Sequence, residues 1–529
     1  MKHRIFFWSL SSALSGFLFG FDTVVISGAE QTIQSLWNLS PGLHGFAMAS
    51  ALYGTVLGSL IGGWPTDRFG RRRTLLWIGI LYFVSAVWSG LATDVYTFSL
   101  ARFIGGLGVG ISTVAAPLYI SEISPPGRRG RLAGMFQFNI VFGILVAFLS
   151  NALLGGVGDN AWRWMLGVEA IPAFLYTALC LGLPESPRWL LGRKGDRAAG
   201  VAVLRLIEPE ASPSELEAHA DEIAAASSER RSSAGFWTRR LRGPILLAFL
   251  IAFFNQLSGI NAVLYFAPRI FGLTGLDASA SLLQSVGIGV TNLVFTFVGL
   301  WLIDRLGRRT LLYIGSVGYI VSLGVCALAF FTYAPQFKVA SAAIAVRDLA
   351  GKWEAAPPAS AAELEAKLAS ARAALTDALK APGYPGAAPD IPDDASPAGV
   401  KAAATAILKQ ASDAAGTGGL VVLVSIFAFI AAHAVGQGAV IWVFIAEIFP
   451  NRHRAEGQAL GSFTHWVFAA FLTSVFPKVV TAFAPGYVFL FFCGMMVLQL
   501  IWVRVMVPET KGVPLEQIQK RLGIEPEAA

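Results

Sequence analysis

The chain has 529 residues, 55% of them hydrophobic and only 14% charged, with a formal net charge of +7. Soluble domains carry roughly 25% charged residues, so the composition excludes an ordinary soluble protein and points to an integral membrane protein. The basic excess is divided among short clusters between apolar runs, which argues against nucleic acid as a partner.

Twelve apolar runs follow in chain order, near 8–28, 43–64, 73–92, 95–120, 131–153, 162–183, 242–271, 279–303, 310–334, 418–446, 457–482 and 485–507. Each is long enough to cross roughly 30 Å of hydrocarbon as a helix. None has the alternating pattern of a membrane barrel strand, so the expected fold class is an all-α membrane protein with twelve transmembrane helices. The first run lacks a small-residue cleavage site and reads as a retained helix. It contains FLFGFDTVVISG (17–28), and with it Asp22. A carboxylate at mid-membrane costs about 2.5–3.5 kcal/mol on insertion scales, so Asp22 should face the protein interior and serve a function. The clusters DRFGRRR (67–73), PPGRRGR (125–131), RRLR (239–242), DRLGRR (304–309) and NRHR (451–454) occupy alternate loops. The positive-inside rule therefore places them and both termini in the cytoplasm. Cys180, Cys326 and Cys493 lie within apolar runs and form no disulfide framework.

The chain repeats itself. DRFGRRR at 67 recurs as DRLGRRT at 304, SEISPPGRRG is echoed by AEIFPNRHRAEG, and PESPR at 184 returns as PETKG at 508. The predicted organisation is a six-helix bundle (1–183), a cytoplasmic helical linker (184–241), spans seven to nine (242–334), an extracytoplasmic insertion (335–417), spans ten to twelve (418–507) and a cytoplasmic tail (508–529). Two parallel six-span repeats form a transporter architecture with a site near mid-membrane between them. In the linker, SPSELEAHADEI suggests an amphipathic helix with Ser214 as its N-cap. The insertion is Ala/Pro-rich. Its segment 363–380 predicts one helix with Leu364, Leu368, Ala371 and Leu375 on one face, followed by an irregular tail.

Taken in order, DRFGRRR, PLYISEISPPGRRG, PESPRWL, NQLSGINAVLYFAP, DRLGRR, WVFIAEIFPNRHRAEGQ and PETKG resemble the sugar porter family of the major facilitator superfamily. The likeness covers nearly everything outside 335–417, and it extends to bacterial sugar–proton symporters, such as the xylose–proton type, and to the animal glucose facilitators. Arginine pairs carboxylate in a planar, two-pronged way. Arg71, Arg72, Glu122, Arg129, Glu185 and Arg188 can thus form one network, and Arg308, Arg309, Glu447, Arg454 and Glu509 its repeat. The resemblance implies that these networks close the inner gate when the protein opens outward.

A monosaccharide needs amides for its hydroxyls and aromatic rings for its C–H faces. Run seven offers Gln256, Asn261 and Tyr265. On a straight helix Asn261 and Tyr265 share a face while Gln256 points about 140° away, so a break is expected at Ser258-Gly259. The resemblance adds Phe19, Gln137, Asn255, Asn292, Gly438 and Trp442 as substrate contacts. It also draws attention to His465, beside Trp466, where the symporter pattern has glutamine. There His465 would touch sugar and, titrating near neutral pH, add pH sensitivity. Ala439 stands where relatives often carry proline, so run ten should bend differently. His433 reads as core.

Burial disfavours a charged carboxylate and a neighbouring cation favours it, so a group subject to both can bind and release a proton as its surroundings change. The resemblance names Arg102 as the cation for Asp22 and Glu169 as a competing partner. The function implied is proton-coupled monosaccharide import by alternating access at the inner membrane, with a uniporter or a non-transporting sugar sensor as alternatives. The expected partners are the sugar, the proton and the bilayer, with the chain monomeric. No nucleophile elbow, metal-ligand spacing or phosphate loop appears, so no enzyme activity, metal or cofactor is expected.

Overall fold

The structure, a computed structural model, describes residues 2–124, 129–229, 235–354, 358–386, 391, 395–450, 453–513, 517–518, 520, 522 and 524. Among these there is no strand, and twelve helices are long and apolar enough to cross a membrane. Six precede the linker: Arg4–Leu36, Pro41–Ile61, Arg71–Leu91, Val95–Ile123, Gly134–Leu154 and Ala161–Leu181. Six follow it: Arg239–Tyr265, Ala278–Leu306, Arg308–Thr332, Gly418–Ile448, Arg454–Ala482 and Pro485–Met506. The protein is thus a multi-pass membrane protein. Below, spans are numbered in this order; the basic face is the end carrying the DRFGRRR and DRLGRR turns, and the distal face is the other.

Three spans are interrupted, each for a local reason. In span 6 the helix stops after Gly167 and resumes at Ala170. Pro172 has no N–H to offer the Val168 carbonyl, which bonds Ile171 N instead. Span 7 breaks at Ser258-Gly259, where Gly259 takes a positive φ of 86° and Ser258 Oγ bonds the Asn255 carbonyl at 2.6 Å. Glycine is the residue that adopts this conformation without strain. A third helix, Ala267–Gly272, continues the chain beyond Phe266. Span 10 divides at Gly436, between Gly418–Val435 and Gln437–Ile448, where its backbone runs against Gly315 of span 9. The bend expected near Ala439 is set by this glycine.

Small residues let spans approach backbone to backbone, the usual packing device in lipid. A Cβ on Gly106 of span 4 would run into the Ala51 carbonyl of span 2. The bundles meet along two seams, span 2 on span 11 and span 5 on span 8. In the first, Gly45 sits against the Ser474 carbonyl, and Tyr53 Oη bonds Ser474 Oγ at 2.5 Å. In the second, Gly289 sits against Leu145. One buried apolar cluster runs through both bundles, from Phe21 and Phe98 to Phe444 and Trp466. A second belongs to the first bundle and takes in Leu190, Val203 and Ile207 of the linker.

The linker forms two main helices, Arg197–Ile207 and Pro213–Glu229. The second is capped by Ser212, not by Ser214 as the sequence suggested. Ser212 Oγ accepts from Glu215 N while Glu215 Oε2 accepts from Ser212 N at 2.7 Å, a reciprocal capping box with Pro213 in the first turn. Trp189 donates to the Asp67 carbonyl in the first bundle, and Phe236 stacks on Phe449 of the second, so the linker touches both.

The insertion holds three helices, Ala334–Glu354, Pro358–Leu379 and Pro397–Ala415, where one was expected. They enclose their own apolar core, including Val339, Val346, Leu368, Leu375, Val400 and Ile407. The expected face of the middle helix is the buried one. The other two were obscured because their interior positions are mostly alanine, which gives little hydrophobic periodicity.

Candidate functional site

Asp22 and Arg102 meet in the middle of the first bundle, each side chain 2% exposed. Arg102 Nη1 donates to Asp22 Oδ1 at 2.5 Å and Nη2 to the Asp22 backbone carbonyl at 2.8 Å. Removing one partner from such a buried pair costs about 3–5 kcal/mol, because the other charge is left without water or a counterion. Glu169 stands at the break in span 6, buried, with Oε1 making no hydrogen bond. Asp22 and Arg102 are its electrostatic neighbours. The site thus holds one cation and two carboxyls, of which only Asp22 is bonded to the cation.

Tyr265 links this cluster to span 7: it is buried within the electrostatic reach of both Arg102 and Asp22. The span 7 break corrects the straight-helix geometry. Asn261 Nδ2 donates to Gln256 Oε1 at 2.7 Å, so the turn at 258–259 brings together two side chains that a continuous helix would point apart. Gln256 Nε2 also donates to Asn255 Oδ1 at 2.9 Å and lies 3.1 Å from the ring nitrogens of His465. Aromatic rings border these amides. His465 packs edge-on against Trp466 with centroids 4.7 Å apart, Trp442 lies 5.4 Å from His465, and Phe19 of span 1 lies 5.4 Å from Trp466. The Phe19–Trp466 contact crosses between bundles, which places the cluster at their interface.

Gln137 is half-buried and Asn292 buried, and among the described residues neither forms a hydrogen bond. Buried polar groups are ordinarily paired, so these two amides have capacity to spare for a polar ligand. Gly438 faces His433, where a Cβ would come 3.0 Å from the carbonyl. His433 itself bonds Tyr319 Oη at 2.7 Å, as a core histidine should.

The basic-face motifs form two matching constructions. In the first bundle Arg71 clasps Glu122 through Nε and Nη2, both at 2.9 Å, and reaches Asp67 at 3.1 Å. In the second, Arg308 clasps Glu447 at 3.1 and 2.7 Å and reaches Asp304 at 3.2 Å. The glycine of each motif explains the turn: Gly70 (φ 94°, ψ 163°) and Gly307 (φ 92°, ψ 165°) precede helix N-termini whose first N–H groups point at a carboxylate. Glu185 accepts from Arg71 N at 2.8 Å and Arg72 N at 3.2 Å; Glu509 accepts from Arg308 N at 2.9 Å and Arg309 N at 3.0 Å. A helix N-terminus is a natural anion site. Burial nevertheless holds the Glu185 carboxyl above the usual carboxylate range, against the opposing pull of those N–H groups and Arg71.

Two expected members stand apart from these networks. Arg188 is exposed and forms no bond among the described residues, and Arg454 Nε is buried without a partner. The side chain of Arg129 lies outside the described residues, as do residues 451–452 of NRHR. Each network closes within its own bundle.

Sequence reasoning missed one cluster. On the distal side Glu30 of span 1 is fully buried and bonds Arg269, of the helix after span 7, at 2.9 and 2.7 Å. His44 Nε2 of span 2 lies 2.9 Å from the same carboxylate, and Arg269 also reaches Gln34 at 2.6 Å. A glutamate eight residues beyond Asp22 was the available signal.

The family model for "Sugar (and other) transporter" matches residues 8–347 and 398–522, its gap falling within the insertion. The D-xylose-proton symporter of Escherichia coli K12 is 30% identical over 97% of this chain and 95% of its own length. The arabinose-proton symporter of Bacillus subtilis strain 168 is 28% identical over 97% and 94%. Among solved structures, the inward open conformation of the xylose transporter XylE from E. coli matches with a TM-score of 0.69 and 28% identity, covering 98% of this chain and 99% of that one.

Proposed function

Because this chain belongs to the sugar transporter family of the major facilitator fold, we propose that it imports a monosaccharide together with a proton by alternating access. One observation carries the reading: Asp22, buried in its pair with Arg102, stands on the same span 1 helix as Phe19, whose ring meets Trp466 in a cluster of amides and aromatic rings at the bundle interface. The amides Gln137, Asn255, Gln256, Asn261 and Asn292 are suited to sugar hydroxyls, and Phe19, Trp442 and Trp466 to its C–H faces. A proton on Asp22 removes the charge that holds Arg102, and Arg102 then turns to Glu169, whose free oxygen lies in the same buried space. This exchange of partners makes the energy of the first bundle depend on protonation, which a uniporter would not require.

The basic face is assigned to the cytoplasm by the positive-inside rule, in the inner membrane of a bacterial cell, and the single chain is the transport unit. The Arg71–Glu122–Glu185 and Arg308–Glu447–Glu509 networks each brace one bundle here. They are proposed to meet across the cleft when the inner side shuts, with Arg188 and Arg454 supplying unspent donors. In support, the seam contacts at Tyr53–Ser474 and Glu30–Arg269 hold the distal side together, in keeping with the likeness to an inward open relative. A competition panel tests the function. Uptake of one labelled pentose or hexose, challenged by unlabelled sugars, should be saturable, selective and abolished by a protonophore. Uptake that is indifferent to the protonophore would reduce the protein to a facilitator.

A further inference from the structure

We propose that Glu30, Arg269 and His44 form a latch on the distal gate, holding the bundles together on that side until outward opening breaks it. The inference rests on the alternating-access reading, which notes the Glu30–Arg269 contact only as part of the closed distal side, and adds to it the role of His44 and the breaking of the pair on opening. Glu30 and His44 belong to spans 1 and 2 of the first bundle, whereas Arg269 belongs to the short helix Ala267–Gly272 of the second. The Glu30–Arg269 pair is therefore an ion pair across the seam, in contrast to the Asp22–Arg102 pair and the basic-face networks, which each lie inside one bundle.

Its geometry suits a latch. Both Glu30 oxygens are engaged by Arg269 in the planar fork arrangement, and the Arg269 side chain is 19% exposed, so water reaches the cation side first. His44 is buried, with Nδ1 unpartnered. Its Nε2 lies 2.9 Å from Glu30 Oε2, on the same carboxylate that Arg269 clasps. His44 thus helps hold the carboxylate in the orientation that meets Arg269. The helix bearing Arg269 is set off by two irregular joints, Phe266 (φ −119°, ψ 22°) on one side and the turn after Gly272 on the other. Asp22 lies eight residues earlier on the same span 1 helix, about 12 Å along its axis, so a shift of span 1 at the coupling site is felt at the latch.

The test places a reporter cysteine at Ser474, which sits in the seam bonded to Tyr53, in a chain whose three native cysteines are buried. A membrane-impermeant thiol reagent is added to the distal side of right-side-out vesicles carrying the full protein. Glu30→Gln and Arg269→Gln should each raise the labelling rate at least about tenfold, because either leaves the other member unpaired in the closed seam. The double variant should exceed neither single one, since the two act as a pair. His44→Leu should raise labelling about two- to threefold through the lost hydrogen bond, and His44→Gln, which keeps a donor, should restore the original rate. Unchanged labelling in both charge variants, or additive effects in the double one, would overturn the proposal. The His44 pair keeps the question answerable if a charge variant fails to fold. Labelling does not depend on sugar transport, so failure of the latch and failure of the transport reading are separately visible.

Discussion

Replacing Gly70 with alanine is a demanding check on the basic-face construction, because two costs coincide at one atom. Gly70 has φ 94° and ψ 163°, a region that side-chain-bearing residues avoid, and holding alanine there costs about 1–3 kcal/mol. The added Cβ would also fall on Glu185 Oε2 and push the carboxylate off the helix N-terminus. Glu185 holds Arg71 N and Arg72 N, and each hydrogen bond to a charged group is worth about 1.5–3 kcal/mol. Losing one of them with the strain gives a destabilisation on the order of 3–5 kcal/mol. Gly307 repeats the arrangement with Glu509, so Gly307→Ala should cost the same. Gly63 is the control: it is helical and exposed, with nothing within 4 Å of an added Cβ, and alanine there should be neutral or slightly stabilising. Apparent melting of the purified protein, followed by tryptophan fluorescence, should fall by at least about 5 °C for both motif variants. A Gly70→Ala protein melting with the wild type would refute the claim that these glycines exist to aim N–H groups at a carboxylate.

Three further outcomes are expected. His465→Gln should preserve folding and change the relative uptake of pentoses and hexoses, since the His465 ring lies 3.1 Å from Gln256; an unchanged selectivity profile would remove His465 from the site. Leu368→Asp with Leu375→Asp should open the insertion to protease while sugar exchange persists, because those side chains belong to a core separate from the bundles; lost exchange would make the insertion part of the machinery. In the linker, Arg197 bonds Glu217 and Asp221, and this pairing holds the Asp221 carboxyl below its ordinary range. A depressed carboxylate stabilises the fold above its unfolded value and loses that contribution as pH falls through the folded one. Proteolysis of the linker by an acid-tolerant enzyme should therefore quicken only below about pH 4, and Arg197→Ala should weaken that dependence, leaving the part carried by the capping-box carboxyl of Glu215, which is also held low.

Much of the molecule was legible in the sequence for identifiable reasons. Apolar length fixed the twelve spans, and Ser258-Gly259 announced the break in span 7 because only a glycine in that place makes a turn inexpensive. Asp22 drew attention through its cost in lipid. Its pairing with Arg102 was not readable from spacing, since 80 residues separate them and only the fold brings spans 1 and 4 together. Glu30 escaped for the same reason: its partners lie 14 and 239 residues away, and near the end of a long span a glutamate looks like an interfacial residue. The cap is Ser212 rather than Ser214 because Pro213 is suited to the first helical position, and Glu215, three residues after Ser212, closes the box. Arg188 and Arg454 carry the right motif yet stay outside the networks, since a motif specifies residue type and the conformation decides which groups meet.

The coupling assignment meets its most direct test in proteoliposomes carrying Asp22→Asn. Asparagine keeps the shape of the side chain but can neither take up a proton nor hold Arg102 by charge. Exchange of labelled for unlabelled sugar should continue, while accumulation driven by an imposed pH gradient should vanish. A variant that still concentrates sugar under that gradient would show that the proton is carried elsewhere and that the buried pair is only structural.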